Sequence, residues 1–290
     1  MNNLPRISVL TPSFNSSHTI RDTLESVASQ GYPNLEHIVV DGGSTDGTIE
    51  ILKQALALNW ISEKDSGIYD AVNKGILRST GDIIGVLNSD DCYRPGALQK
   101  VGEAFANHPE WDALFGDIVY IDAEGREIYR RREAKYDYNV LRLSRVCYVI
   151  HPTLFVRRKV HEELGTYRHR EYPRCADYDF ILQLGKHRRN VGHVREFLAD
   201  FRYHQFGQTS DLRVTASMEG ERQRIFAEHG VPAGSYGQAL RFIMIARRQI
   251  QKLFYRGTVD LRRGSNILKR HRFEKGAFTT NIPMETIKNG

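Results

Sequence analysis

Two aspartates stand side by side in "NSDD", Asn88 to Asp91, directly after the apolar run "IIGVL" and shortly before Pro95. Adjacent like charges repel and gain nothing from burial, so the pair requires either open water or a cation. Hard oxygen donors of this kind suit Mg²⁺ or Mn²⁺, which need only one or two protein carboxylates and fill the remaining positions with water or phosphate oxygens. Cys92 is too soft a ligand for such an ion. Two further polar stretches follow apolar runs in the same way: "TPSFN" at 11–15 and "DGGSTDGT" at 41–48. The second lacks the lysine of a phosphate loop and the glycine fingerprint of dinucleotide sites. Asp41 is instead placed to accept a hydrogen bond from a polar ligand, such as the ring N–H of a nucleobase. Each stretch also has a plainer reading. "DGGSTDGT" makes a tight loop in which Gly42 and Gly43 supply unusual backbone angles and Asp46 begins a helix, and "NSDD" makes an exposed turn with Pro95 opening the next helix.

The elements that must position these residues alternate along the first half of the chain. "RISVLTPS", "LEHIVVD", "NWISE" and "IIGVLN" have strand character; "SHTIRDTLESVAS", "DGTIEILKQAL" and "GIYDAVNKGILRS" are helical, the first with Ile20, Leu24, Val27 and Ala28 on one stripe. This alternation implies right-handed crossovers and a mostly parallel sheet with helices on both faces, with ligands beyond the carboxyl ends of the strands. Thr11, Asp41 and Asp91 then converge on one crevice. From Trp111 the pattern changes to "ALFGDIVYIDAEGREIYRRR", two strands joined by a turn at Ala123 to Gly125, followed by the strand "PTLFVRR". These form an antiparallel addition. "CADYDFILQLGKH" is a helix burying Phe180, Ile181 and Leu184, and beyond Ser210 the reading is helical, including a basic amphipathic helix from Tyr236 to about Tyr255.

The chain of 290 residues is long enough for one substantial core with an appendage, and its hydrophobic share of 40% does not suggest disorder. Its division is expected at 1–210 (halves 1–110 and 111–210) and 211–290. Three cysteines without zinc-site spacing read as reduced structural thiols. With no membrane-span-length apolar run and no signal-like start, the expected location is cytoplasmic, with room for peripheral attachment to the inner membrane's cytoplasmic face. The net charge of +6 is concentrated between Arg241 and Lys275, where eleven Lys and Arg face Asp260 and Glu274. No zinc-finger spacing or RNA-recognition motif accompanies them, so a nucleic acid partner is not expected. An anionic membrane surface or a lipid-linked phosphate suits this segment, as does a solvated tail.

The ordered set "ISVLTPSFN", "IVVDGGSTDGT", "DSGIYDAVNKGI", "GDIIGVLNSDD", "HPTLFVRR" and "ADYDFILQL" resembles family 2 glycosyltransferases with the GT-A nucleotide-sugar-binding fold, over roughly Ile7 to Ser210. The resemblance is nearest to bacterial members that build surface polysaccharides. It implies that Thr11, Pro12 and Asp41 surround the nucleobase, that Asp65 and Lys74 complete the donor pocket, and that Ser89 and Asp90 meet the donor. Asp90 would touch the ribose or the metal, and Asp91 would hold the metal. Asn88 stands where relatives often carry Asp. The family's catalytic base usually lies in an "ED" motif; here the match is "ADYD", with Ala176 in place of the glutamate. Asp177 is the candidate base and Asp179 its rival. The two are about 200° apart around a helix, so only one can face the crevice; Asp177 also reads as an ordinary helix cap. His151 is a candidate for acceptor or product-phosphate contact, and His204 for closure over the diphosphate or metal.

The implied reaction is an inverting, metal-dependent transfer, with Mn²⁺ or Mg²⁺, from a UDP, GDP or dTDP sugar to a saccharide or lipid-linked saccharide hydroxyl. It would belong to exopolysaccharide, O-antigen or lipopolysaccharide synthesis. Two rivals are a sugar-phosphate nucleotidyltransferase, whose glycine-rich arginine loop "LTPSFNSS" does not match, and a non-catalytic sugar-binding protein with a decayed site.

Overall fold

The computed structural model describes residues 4–55, 58–203 and 212–256. Strands are β1 (Ile7–Ser13), β2 (Leu35–Asp41), β3 (Asn59–Ser62), β4 (Ile83–Val86), β5 (Cys92–Tyr93), β6 (Ala113–Ile121), β7 (Glu127–Arg131), β8 (Phe155–Arg157) and β9 (Val191–Arg202). Helices are α1 (Ile20–Ala28), α2 (Thr48–Gln54), α3 (Ile68–Arg78), α4 (Ala97–Asn107), α5 (Tyr138–Ser144), α6 (Arg158–Leu164), α7 (Ala176–Lys186), α8 (Leu212–Glu228) and α9 (Gly234–Arg256), with a short 3-10 turn at His151–Thr153.

One sheet runs in the order β3-β2-β1-β4-β8-β6-β9-β5, with β7 paired to β6. The first four positions are parallel, as the alternation of strand and helix requires. β8 enters antiparallel to both β4 and β6, so the added half does reverse direction. β9, in contrast, lies parallel to β6. Side chains alternate between the two faces: Leu10, Ile38, Ile84 and Val86 pack into the core beside α3, while Ile7, Val9, Ile83 and Leu87 pack into the core beside α4. Ile225 and Phe226 of α8 are buried in the first of these cores, so α8 is part of the same interior as the sheet.

Local chemistry moves two expected helix starts. Pro95 does not open α4. It occupies the second position of a turn closed by Ala97 N–H to Arg94 C=O, and Gly96 (φ 72°) takes the left-handed position before α4 begins. Likewise α2 follows Gly47 (φ 99°), while the Asp46 carboxylate accepts from Ser17 N–H, Thr48 N–H and the Thr48 hydroxyl. On α1 the buried stripe is Ile20, Thr23 and Val27. Leu24 of the expected stripe packs partly buried against Ile20 and Ala28 is exposed, while Thr23 joins the buried face with its hydroxyl donating to the Asp91 carbonyl at 2.8 Å.

Candidate active site

The carboxyl ends of β2, β1 and β4 are neighbours, and the β1–α1 loop ties their loops into one rim. Asn15 N–H donates to Ser44 Oγ and Thr45 N–H donates to Asn15 Oδ1, which joins this loop to "DGGSTDGT". On the other side Ser16 Oγ lies 2.7 Å from Ser89 Oγ, and Thr19 Oγ1 donates to the Ser89 carbonyl. The β1–α1 loop is thus bonded on one side to the loop that follows Asp41 and on the other to Ser89, which precedes Asp90 and Asp91.

Within that rim Asp41 is fully buried. Its Oδ2 accepts from Gly43 N–H, Ser44 N–H and Ser62 Oγ at 2.7–2.9 Å, and its Oδ1 accepts from Ser44 Oγ. Thr11 is also buried, with its hydroxyl 2.9 Å from His37 Nε2 inside the sheet, and Pro12 beside it is buried too. Burial pushes the His37 imidazole down to about 4, so this inner partner is neutral. Asp65 folds over the loop: a Cβ on Gly42 would sit 2.6 Å from Asp65 Oδ2, which explains a glycine where backbone and carboxylate meet. Burial raises the Asp65 carboxyl, opposed by the Gly67 N–H and the charge of Lys74. Lys74 Nζ is held by the Lys64 carbonyl at 3.0 Å and Glu63 at 3.1 Å, close enough for its charge to act on Asp65.

Asp91 is almost fully buried. Arg202 N–H donates to its Oδ1 at 2.9 Å, and Asn88 Nδ2 donates to its Oδ2 at 3.1 Å. Burial, followed by the charge of Asp90, raises the Asp91 carboxyl well above the usual range, against the pull of Arg202 and Asn88. Arg202 anchors the turn: its guanidinium donates to the carbonyls of Asp90 and Ala123 and to Asp22 Oδ2. Nothing in the apolar pattern of its strand singles out this residue; the clue in the sequence is a strand-end arginine available to a carboxylate pair. Among the described residues no cluster of three or more His, Cys, Asp or Glu forms a metal cage. The donor set of Asp90 and Asp91 nevertheless fits a hard divalent cation. The charge crowding on Asp91 is relieved by a cation, and the buried Asn88 Oδ1 is an acceptor without a partner among the described residues. His204 lies outside the described residues.

A second cluster gathers around Asp177. The cap of α7 is Cys175, so Asp177 sits inside the first turn and is not the capping residue. The N–H groups of Arg174 and Cys175 instead donate to Glu221 Oε2 of α8, both at 3.0 Å. Asp177 Oδ1 accepts from Tyr178 N–H, and after burial itself the nearby Asp177 charge is the chief influence that raises the Tyr69 phenol. His151 belongs to this group. Its Nε2 is 2.9 Å from Tyr167 Oη, Tyr167 stacks on Tyr69, and burial lowers its imidazole against the charge of Asp177. Asp179 points elsewhere, into a bidentate pair with Arg168 (2.5 and 2.8 Å). Burial would raise its carboxyl, but the nearby His229, with Nε2 3.7 Å away, and the Arg168 pair hold it below the usual value. The 3-10 turn carrying His151 packs on β4, β6 and β9, linking this cluster to the strand that delivers Asp91. Tyr69, Tyr167 and Glu221 are site residues that the sequence pattern does not mark, because an aromatic at helical spacing reads as core.

A mostly parallel sheet extended by an antiparallel strand, with carboxylates in the loops at the strand ends, is the architecture of the GT-A class of nucleotide-sugar transferases. Residues 8–165 match the family described as Glycosyl transferase family 2, and the chain belongs to that family. It is 30% identical over 188 residues to a "PGL/p-HBAD biosynthesis glycosyltransferase" of Mycobacterium bovis, covering 62% of this chain and 69% of the relative. It is 32% identical over 204 residues to "O-antigen biosynthesis protein RfbC" of Myxococcus xanthus, covering 66% of this chain but 15% of that protein. Among solved structures it resembles S. aureus TarS 1-349 in complex with UDP-GlcNAc, with a TM-score of 0.58 at 18% identity over 82% of this chain and 79% of that one. Against a longer TarS chain the TM-score is again 0.58, and this chain spans 42% of its length.

Proposed function

We propose that the protein transfers a sugar, with inversion, from a nucleotide diphosphate sugar to a hydroxyl of a saccharide or lipid-linked saccharide during bacterial surface polysaccharide synthesis. The observation that carries this reading is the division of labour between two aspartates. Asp179 is consumed by Arg168, whereas Asp177 is half-buried in the first turn of α7 with no such cation on it among the described residues, near the Tyr69 phenol. Asp177 then takes the proton of the acceptor hydroxyl as its oxygen attacks. Tyr69 and His151 orient the carboxylate and line the acceptor side. The Asp41 loop, Asp65 and Lys74 hold the nucleotide, and Asp90 and Asp91 would hold Mn²⁺ or Mg²⁺. A bound divalent ion supplies stabilisation of the negative charge that develops on the departing diphosphate. Uridine is the first nucleotide to test, since solved TarS structures contain UDP and UDP-GlcNAc; GDP and dTDP sugars are the alternatives. The acceptor's lipid carrier would bring the basic carboxyl-terminal segment to an anionic cytoplasmic membrane face.

The test is release of nucleoside diphosphate from a panel of UDP, GDP and dTDP sugars with Mn²⁺, Mg²⁺ or chelator. One nucleotide class is expected to be hydrolysed slowly, with a loss of at least about tenfold on chelation and in Asp91→Asn. Because the Asp91 carboxyl holds its proton unusually tightly, metal-supported turnover is expected to weaken as pH is lowered. Pyrophosphate release from a nucleoside triphosphate and sugar phosphate, or no binding heat with any nucleotide, would overturn the reading.

A further inference from the structure

The carboxyl-terminal helix α9 is amphipathic in the reverse sense to most surface helices. Its basic side faces the protein: Arg248 Nη2 bonds both oxygens of buried Glu133, Lys252 Nζ is 3.0 Å from Glu133 Oε1, and Arg247 bonds Asp137 at 2.7 Å. Its outer side carries Tyr236, Phe242, Ile243, Ile250, Leu253 and Phe254, between 54% and 86% exposed. At about 100° per residue these six fall in a sector about 120° wide, centred opposite Arg248. Ser235, Ala239 and Ala246 share the sector, and no charged residue does. From Tyr236 to Phe254 the strip is about 27 Å long. A contiguous apolar face of this size on a surface helix marks a contact surface.

We propose that this face of α9 lies in the headgroup–acyl boundary of an anionic bilayer, with the helix axis in the membrane plane. Among the described residues no helix is long and apolar enough to cross a membrane, so the contact is interfacial. Charge selects lipid over a second copy of the chain. With Arg247, Arg248 and Lys252 of α9 already paired, the charge that counts is that of residues 257–290, whose sequence carries seven Lys and Arg against three Asp and Glu. Two copies meeting through this face would bring like-charged segments together, whereas anionic headgroups oppose them with the complementary charge. The inference deepens the membrane element of the proposed function and corrects its chemistry. Arg247, Arg248 and Lys252, which suggest headgroup contact from sequence, pair instead with Asp137 and Glu133, and the lipid-facing surface is the apolar one.

The test uses the full chain and vesicles of phosphatidylcholine with or without phosphatidylglycerol, in flotation. Wild-type protein is expected to float with the phosphatidylglycerol vesicles, and the fourfold variant Phe242→Gln, Ile250→Gln, Leu253→Gln, Phe254→Gln to lose at least about tenfold in partitioning. Its melting temperature and donor hydrolysis in vesicle-free buffer are expected to stay at wild-type values, since all four side chains are exposed. A single Phe254→Trp substitution gives a readout independent of that variant's folding: its emission shifts to the blue on adding the anionic vesicles. Unchanged partitioning of a folded fourfold variant overturns the proposal, as does Phe254→Trp emission that vesicles leave unmoved. A wild-type dimer that the fourfold variant dissolves, without flotation, assigns the face to self-association instead. Donor hydrolysis is scored separately, so failure of glycosyl transfer is distinguishable from failure of lipid contact.

Discussion

Asp177 and Asp179 are two residues apart and have opposite fates. Asp179 is a buried carboxylate satisfied by Arg168, and Asp177 stands at a helix start near Tyr69 and His151. Asp177→Asn is therefore expected to lower transfer by roughly 100-fold to 10,000-fold at unchanged donor KM. Asp179→Asn should retain measurable transfer but lose about 2 kcal/mol of stability in urea unfolding, a figure reduced because Arg168 is one-third exposed and keeps Glu228. Full transfer by Asp177→Asn, with loss in Asp179→Asn, would exchange the roles. Sequence spacing shows that only one of the pair can face the crevice. It does not show which, because the deciding partner, Arg168, lies in a loop whose path depends on contacts such as Asn73 with the Tyr167 backbone.

At the scale of elements, α7 is aimed by α8. Glu221 supplies the acceptor for the two backbone N–H groups ahead of Asp177, a task an N-cap side chain usually performs and Cys175 does not. Glu221→Ala leaves both donors buried and unpaired, so a loss of about 2 kcal/mol is expected, with lower kcat and unchanged donor KM. Glu221→Gln keeps a carbonyl acceptor and should restore most of both. An equal loss of donor affinity would show that the helix does not act on the base alone. The parallel half of the fold was legible because each strand there is a short apolar run bounded by turn residues. β9 was not: "VGHVREFLADFR" pairs with β6 across register shifts around Asp117, and those irregularities break the alternation that identifies a strand. β9 delivers Arg202, so the missed strand is also the missed anchor of the aspartate pair.

The whole molecule is closed by a charge cluster whose members run in sequence from Arg131 to Lys252. Glu133 is buried among Arg131, Arg248 and Lys252, which fasten α9 to the β6–β7 hairpin. Burial would raise the Glu133 carboxyl, yet the three cations hold it far below the ordinary range. Three cations against one carboxylate leave positive charge in excess, and Lys252 bears the cost: burial and the neighbouring arginines push its ammonium down to about 8 despite Glu133. Between about pH 8 and 10.5 the unfolded chain holds this proton and the folded chain releases it, so this group's contribution to stability rises with pH across that window. Below pH 8 the buried ammonium is a net burden. Lys252→Met should therefore melt at a higher temperature than wild type at pH 7, with the difference shrinking as pH rises toward 10. Glu133→Gln should have the opposite effect, losing about 3–5 kcal/mol at neutral pH, because it strands three cations around a group that cannot neutralise them. Melting curves of both variants across pH 6–10 decide this, and a Lys252→Met protein that melts lower than wild type at pH 7 would show that the ammonium stabilises the clamp.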